Sequence, residues 1–127
     1  MLNLPLNIDY TGKVAVVTGA GGLICGAMAR AFAQCGAKVA ALDLNEEAVK
    51  KLAEELKAEG FICEGYKANV LEPESLEAVH QAVLKDLGPC DILVNGARKS
   101  NIAAGHTLEE AMETYKTVAD VESKQIV

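Results

Sequence analysis

The stretch Lys13–Gly26, KVAVVTGAGGLICG, decides how this chain is read. It opens on a short apolar, β-branched run, Val14-Ala15-Val16-Val17, and then breaks into glycines at Gly19, Gly21 and Gly22. A largely apolar helical pattern follows, from Leu23 to Cys35. Strand, glycine turn and helix in this order begin an α/β nucleotide-binding domain. Glycine suits the turn because its backbone must take conformations closed to other residues and must let a phosphate come close. The helix that follows offers unpaired N–H groups and a positive dipole end to that phosphate.

The dinucleotide fingerprint G-x-G-x-x-G, counted from Gly19, finds Gly21 but then Ile24 in the third glycine's place. A second feature supports the reading. Asp43 ends a second predicted strand, Lys38–Leu42, where a carboxylate can accept both hydroxyls of a ribose. Alone, Asp43 would read as a polar strand-end or capping residue. Turn and carboxylate together point to a dinucleotide.

These residues resemble the short-chain dehydrogenase/reductase family. Thr18-Gly19-Ala20 matches the start of its T-G-x-x-x-G-x-G turn, and Gly36-Ala37-Lys38-Val39 its entry into the second strand. Asp43-Leu44 is similar to its adenosine-ribose position, Asn69-Val70 to the pair beside the adenine, and Leu93-Val94-Asn95-Gly96-Ala97 to its L-V-N-N-A-G run. The version T-G-A-G-G-x-x-C-G-A-M-A looks closest to members acting on sugar acids. The resemblance implies NAD as cofactor. It implies a site made of Thr18, Gly19, Gly21, Gly22, Leu23 and Ile24 in the turn, Asp43 and Leu44, Asn69 and Val70, and Asn95, Gly96 and Ala97. There are departures. The family's second and third glycines become Leu23 and Cys25, with Gly22 and Gly26 one residue away. Asn69 stands where an aspartate is usual, and Gly96 and Arg98 replace the second Asn and the Gly of the strand-four motif. The resemblance runs from about Tyr10 to Ala97.

Composition bounds the rest. With 127 residues, half of them apolar, the chain is long enough to bury a core. A net charge of −6 spread along helices argues against nucleic acid and against an anionic membrane surface. No apolar run approaches a membrane span and no signal pattern opens the chain, so a cytoplasmic location is expected. The four cysteines form no C-x-x-C pair, and they read as small buried thiols with no metal site.

Taken in order, strands are predicted at Lys13–Thr18, Lys38–Leu42, Phe61–Lys67 and Asp91–Asn95. Helices are predicted from about Gly22 to Cys35, Glu46 to Glu59 and Pro73 to Leu87, with Asn45 as a cap and Pro73 in a first turn. The first helix carries only Arg30 as a charge and is expected to be buried on more than one side. Alternating strands and helices with short links imply right-handed crossovers and a parallel sheet. With the resemblance, the expectation is a three-layer α/β, Rossmann-type half-fold with strand order 3-2-1-4 and flanking helices. The dinucleotide crevice should lie where that order reverses.

Residues 98–127 read as a divergent loop and an amphipathic helix, with a capping box at Thr107–Glu110. The whole chain is expected to be one dinucleotide-binding domain. Arg98, Lys99 and His106 read as loop charges, and Tyr115 is followed four residues on by Ala119. No Y-x-x-x-K occurs, so the family's proton-transfer pair is missing and no catalytic residue is assigned. Three readings of function stand, the third being active chemistry that uses Cys25 or His106. The first is the cofactor-binding half of an oxidoreductase, truncated and inactive alone; the second is a standalone nucleotide-binding or regulatory module, or a truncated or chimeric half-Rossmann protein with no enzymatic activity. With no strand expected beyond the fourth, an open apolar edge predicts a homo-oligomer.

Overall fold

The computed structural model describes residues 8–97. Within them the order is β1 (Val14–Thr18), α1 (Leu23–Gln34), β2 (Lys38–Asp43), α2 (Glu46–Ala58), β3 (Cys63–Lys67), α3 (Pro73–Asp86) and β4 (Ile92–Val94). The sheet is parallel in the order β3-β2-β1-β4, as the sequence predicted.

Its layers follow from the alternation of side chains along each strand. On one face Val17, Val39, Ala41 and Cys63 meet Ala29 and Ala33 of α1 and Val49, Leu52 and Leu56 of α2. On the other, Val14, Val16, Ala40 and Leu42 meet Val79 and Val83 of α3. Strands buried on both faces read as continuous apolar runs, which is why β1 and β2 could be recognised without alternation. The helices are delimited as their sequences suggest. The Asn45 side chain accepts from the Ala48 N–H at 3.2 Å to cap α2, and Pro73 opens α3.

Three expectations are adjusted. β3 begins at Cys63, not Phe61, and β4 pairs with β1 only over Ile92–Val94. Among the described residues the first helix is buried along one side and not on several. It buries Gly26, Ala29 and Ala33 and leaves Ala27 and Met28 exposed, because α2 reaches it only at one flank, where Arg30 pairs with Glu55. Among the described residues no helix is long and apolar enough to cross a membrane.

The register sets up the site. Thr18 lies opposite Leu42, Val17 opposite Val94, and Asp43 opposite Lys67. All four strands therefore end at the same margin of the sheet. β1 leads into α1 on one face of the sheet and β4 is reached from α3 on the other, the arrangement in which α/β sheets form a crevice at the strand ends.

Candidate functional site

The turn after β1 is built from backbone. Gly19 has φ +72°, a conformation that costs a side-chain-bearing residue roughly 1–2 kcal/mol. A Cβ there would also meet the carbonyl carbon and oxygen of Gly96 at 2.8 Å, so the turn and the segment leaving β4 touch through their main chains. The Ala20 N–H donates to the Leu42 carbonyl at 3.0 Å and the Gly22 N–H to the Gly19 carbonyl at 3.0 Å, which ties the turn to the end of β2 and closes it onto α1. Gly22 caps α1 with no side-chain hydrogen bond, and the first turn of the helix holds no acidic residue. The first amides of a helix have no partner within it, so this end presents donors and a positive dipole to an anion.

Asp43 is held toward that turn. Its Oδ2 accepts from the Gly21 N–H at 2.9 Å and its Oδ1 from the Asn45 N–H at 2.9 Å. A Cβ on Gly21 would stand 2.9 Å from the Asp43 carboxyl carbon. Gly21, read from sequence as part of a phosphate cradle, is the residue that makes room for the carboxylate. Each oxygen of an ionised carboxylate accepts about two hydrogen bonds, so capacity remains on both for ligand hydroxyls.

Thr18, the last residue of β1, organises the opposite wall. Its buried Oγ1 accepts from the N–H groups of Gly96 at 2.9 Å and Ala97 at 3.0 Å and donates to the Val94 carbonyl at 3.3 Å. The sequence suggests Thr18 as a site residue from the family pattern alone; in the structure its hydroxyl faces the short segment after β4. Beside it, the Oδ1 of Asn95 is buried and has no hydrogen-bond partner among the described residues. A buried unsatisfied acceptor calls for an explanation, and a ligand donor is one.

The other predicted residues surround this core. Leu23 and Ile24 open α1 almost fully exposed, at 92% and 71%, and Leu44 follows Asp43 onto the surface. Asn69 spends its side chain locally: its Oδ1 accepts from the Leu71 N–H at 3.0 Å, while its own N–H donates to Ser75 Oγ at 2.9 Å. Asn69 and Val70 thus form the bend that leads into α3. Arg98, Lys99, His106 and Tyr115 lie outside the described residues.

Perturbed groups lie away from the crevice. Burial pushes the Cys63 thiol up to about 12, and burial with a hydrogen bond to Asp86 raises Tyr66. Neither faces the turn. Among the described residues no three His, Cys, Asp or Glu side chains converge as a metal site would require. A cleft of about 850 Å³ opens on the α3 face, lined by Val16, Leu42, Leu76, Val83 and Leu93. It shares only Thr18 and Val70 with the predicted site. It is the groove between α3 and the β1–β4 pair, not the crevice at the strand ends.

A parallel sheet with the order 3-2-1-4, a glycine turn between β1 and α1 and a carboxylate at the end of β2 define a Rossmann-type α/β half-fold. The chain belongs to the short chain dehydrogenase family, whose profile matches residues 13–126. That match runs well past Ala97, where the resemblance in the motifs stops, so the tail too is family sequence. An uncharacterised oxidoreductase of Haemophilus influenzae is 37% identical over 98% of this chain, which spans 45% of that relative. D-threitol dehydrogenase of Mycolicibacterium smegmatis is 37% identical over 84% of the chain and is covered to 41%. Among solved structures, a candidate D-mannonate oxidoreductase from Haemophilus with bound NAD superposes with a TM-score of 0.78 at 30% identity, covering 93% of this chain and 50% of that one. L-sorbose reductase from Gluconobacter frateurii, complexed with NADPH and L-sorbose, gives 0.78 at 29% identity, with 93% and 46% covered. The chain therefore spans about half the length of the relatives it matches.

Proposed function

We propose that these 127 residues form the NAD(H)-binding half of a short-chain oxidoreductase and do not turn over substrate by themselves. The observation that carries the reading is the fixed Asp43 carboxylate. It is aimed at the glycine turn by two backbone donors and stands at the end of β2, the position from which a carboxylate in this type of fold accepts ribose hydroxyls. The same charge repels a 2′-phosphate, and neither Leu44 nor Asn45 supplies a cation to offset it. NAD(H) is therefore preferred over NADP(H), by on the order of 1–3 kcal/mol for a hydrogen bond to a charged group.

The remaining residues fit the same ligand. The α1 amides beginning at Leu23 and Ile24 bind the pyrophosphate, Leu44, Asn69 and Val70 flank the adenine side, and Asn95 Oδ1 with Gly96 and Ala97 lines the far wall. Such a cofactor supplies hydride transfer. Completing that chemistry needs a group that exchanges a proton with the substrate hydroxyl, and the tyrosine–lysine spacing that would provide it occurs nowhere in the chain.

Self-association belongs to the same reading. Among the described residues β4 is an outer strand with Leu93 partly exposed, and open strand edges pair with other chains. Calorimetric titration with NADH and NADPH, followed by turnover assays on D-mannonate, D-threitol and L-sorbose, tests the proposal. Tighter NADH binding without turnover is the expected result; turnover refutes the inactive-half reading, and equal affinities refute the role of Asp43. A monomer by light scattering at micromolar concentration refutes self-association.

A further inference from the structure

We propose that Cys25 is a positioning residue of the dinucleotide crevice, acting through Gly96; the inference rests on the dinucleotide reading above. Two departures that look unrelated along the sequence meet in space. Cys25 stands at a position where the motif has glycine, and Gly96 where it has asparagine. A Cβ on Gly96 would lie 2.1 Å from the Cys25 Sγ, 2.8 Å from the Thr18 carbonyl oxygen and 3.5 Å from the Cys25 Cβ. No non-bonded carbon and sulfur approach to 2.1 Å, so the thiol fills the volume in which any side chain at position 96 would begin. The two positions exclude each other's side chains: bulk at 25 requires glycine at 96.

The contact matters because of what Gly96 holds. Its N–H and that of Ala97 donate to Thr18 Oγ1, and its carbonyl group abuts the backbone of Gly19. The segment 95–97 is thus clamped between the end of β1, the glycine turn and the first turn of α1. The thiol is the side-chain face of that clamp, and it packs in turn against the core shared by α1 and α2. Removing it leaves a void beside a residue that has no side chain to fill it, and packed interiors do not close such voids freely. Adding bulk at 96 with the thiol in place drives the segment off Thr18 and Gly19. Either change displaces Asn95 and the wall behind the ligand.

The experiment is a double-mutant cycle read as NADH affinity. It uses wild type, Cys25→Gly, Gly96→Asn and the double variant, with Gly96→Ala as the smaller step and Cys25→Ser as the conservative one. All are titrated at a temperature where circular dichroism shows each folded, and urea midpoints are recorded alongside. Contacting residues are non-additive, so each single change to Gly or Asn should weaken NADH binding about tenfold, and the double variant should return to within about threefold of wild type. Cys25→Ser should stay within about threefold as well, because the hydroxyl keeps most of the filled volume. Losses that simply multiply in the double variant overturn the proposal. So do variants that differ in urea midpoint yet bind NADH alike, since the contact would then be structural only. A flat titration in every protein, wild type included, overturns the dinucleotide reading itself and the positioning role with it.

Discussion

Replacing Gly21 by alanine perturbs the geometry of Asp43 without touching its charge. Gly21 is not among the glycines with positive φ, so alanine meets no backbone penalty there. Its Cβ, however, would stand 2.9 Å from both Cγ and Oδ2 of Asp43 and 3.1 Å from the Ala48 Cβ. The carboxylate is the movable partner. Turning it away breaks the bond from the Gly21 N–H and swings the other oxygen off the Asn45 N–H. Both bonds are exposed, so each is worth only ~0.5–1.5 kcal/mol to stability. The larger effect falls on the ligand, because a carboxylate no longer aimed at the ribose loses hydrogen bonds worth ~1–3 kcal/mol, or about 5- to 150-fold in Kd for NADH. NADPH should lose much less, since moving the negative charge relieves its 2′-phosphate. Competitive titration of the two nucleotides against wild type and Gly21→Ala reads this directly as a narrowed ratio. Equal weakening of both nucleotides, or no weakening of NADH, would refute the assignment of Asp43 to the ribose.

Other expectations follow from single contacts. Thr18→Val keeps the shape but removes the acceptor of the Gly96 and Ala97 N–H groups; chemical denaturation should show a loss of ~1–3 kcal/mol, with weaker NADH binding. Gly19→Ala must place a side chain at φ +72° against the Gly96 backbone, and a fall in Tm corresponding to more than ~2 kcal/mol is expected. Cys63 holds its proton in the folded state up to about 12 against an ordinary 9.0. The folded chain thus binds the proton that the unfolded chain gives up, and stability is lost as pH rises from about 9 toward about 12. Denaturation curves across that range should show the decline, at most ~4 kcal/mol for three units, and Cys63→Ala should flatten it.

Much of the fold was legible because its signals are local. Val14–Val17 and Val39–Leu42 are apolar runs too short for helices, and Gly19, Gly36 and Gly60, where the chain turns between elements, all have positive φ. Strand order was not local information; it came from the family motifs and from handedness. What the sequence could not show were contacts across long separations. Gly21 looked like one more phosphate-loop glycine until Asp43, twenty-two positions on, was seen against it. The Thr18 hydroxyl reaches Gly96 across seventy-eight positions, and nothing in either neighbourhood announces the pair. The first helix misled for another reason: its alanines are apolar by composition but small, and a helix of small residues can leave Ala27 exposed at little cost.

The departures from the glycine pattern are tolerable for a reason that the geometry makes specific. A phosphate-binding turn is read through backbone N–H groups, which every residue but proline carries, so the side chains need only stay clear of the ligand path. Leu23 stays clear by projecting into solvent, 92% exposed at the start of α1. Cys25 cannot do the same, because it lies on the inner side of the helix, against the segment that leaves β4. There the missing side chain of Gly96 absorbs its bulk. Loss of glycine at one wall of the crevice is thus matched by gain of glycine at the other, and the Gly19–Gly96 approach keeps its main-chain contact. If the turn holds a phosphate as proposed, losing the third motif glycine is compatible with that role where positions 25 and 96 change together.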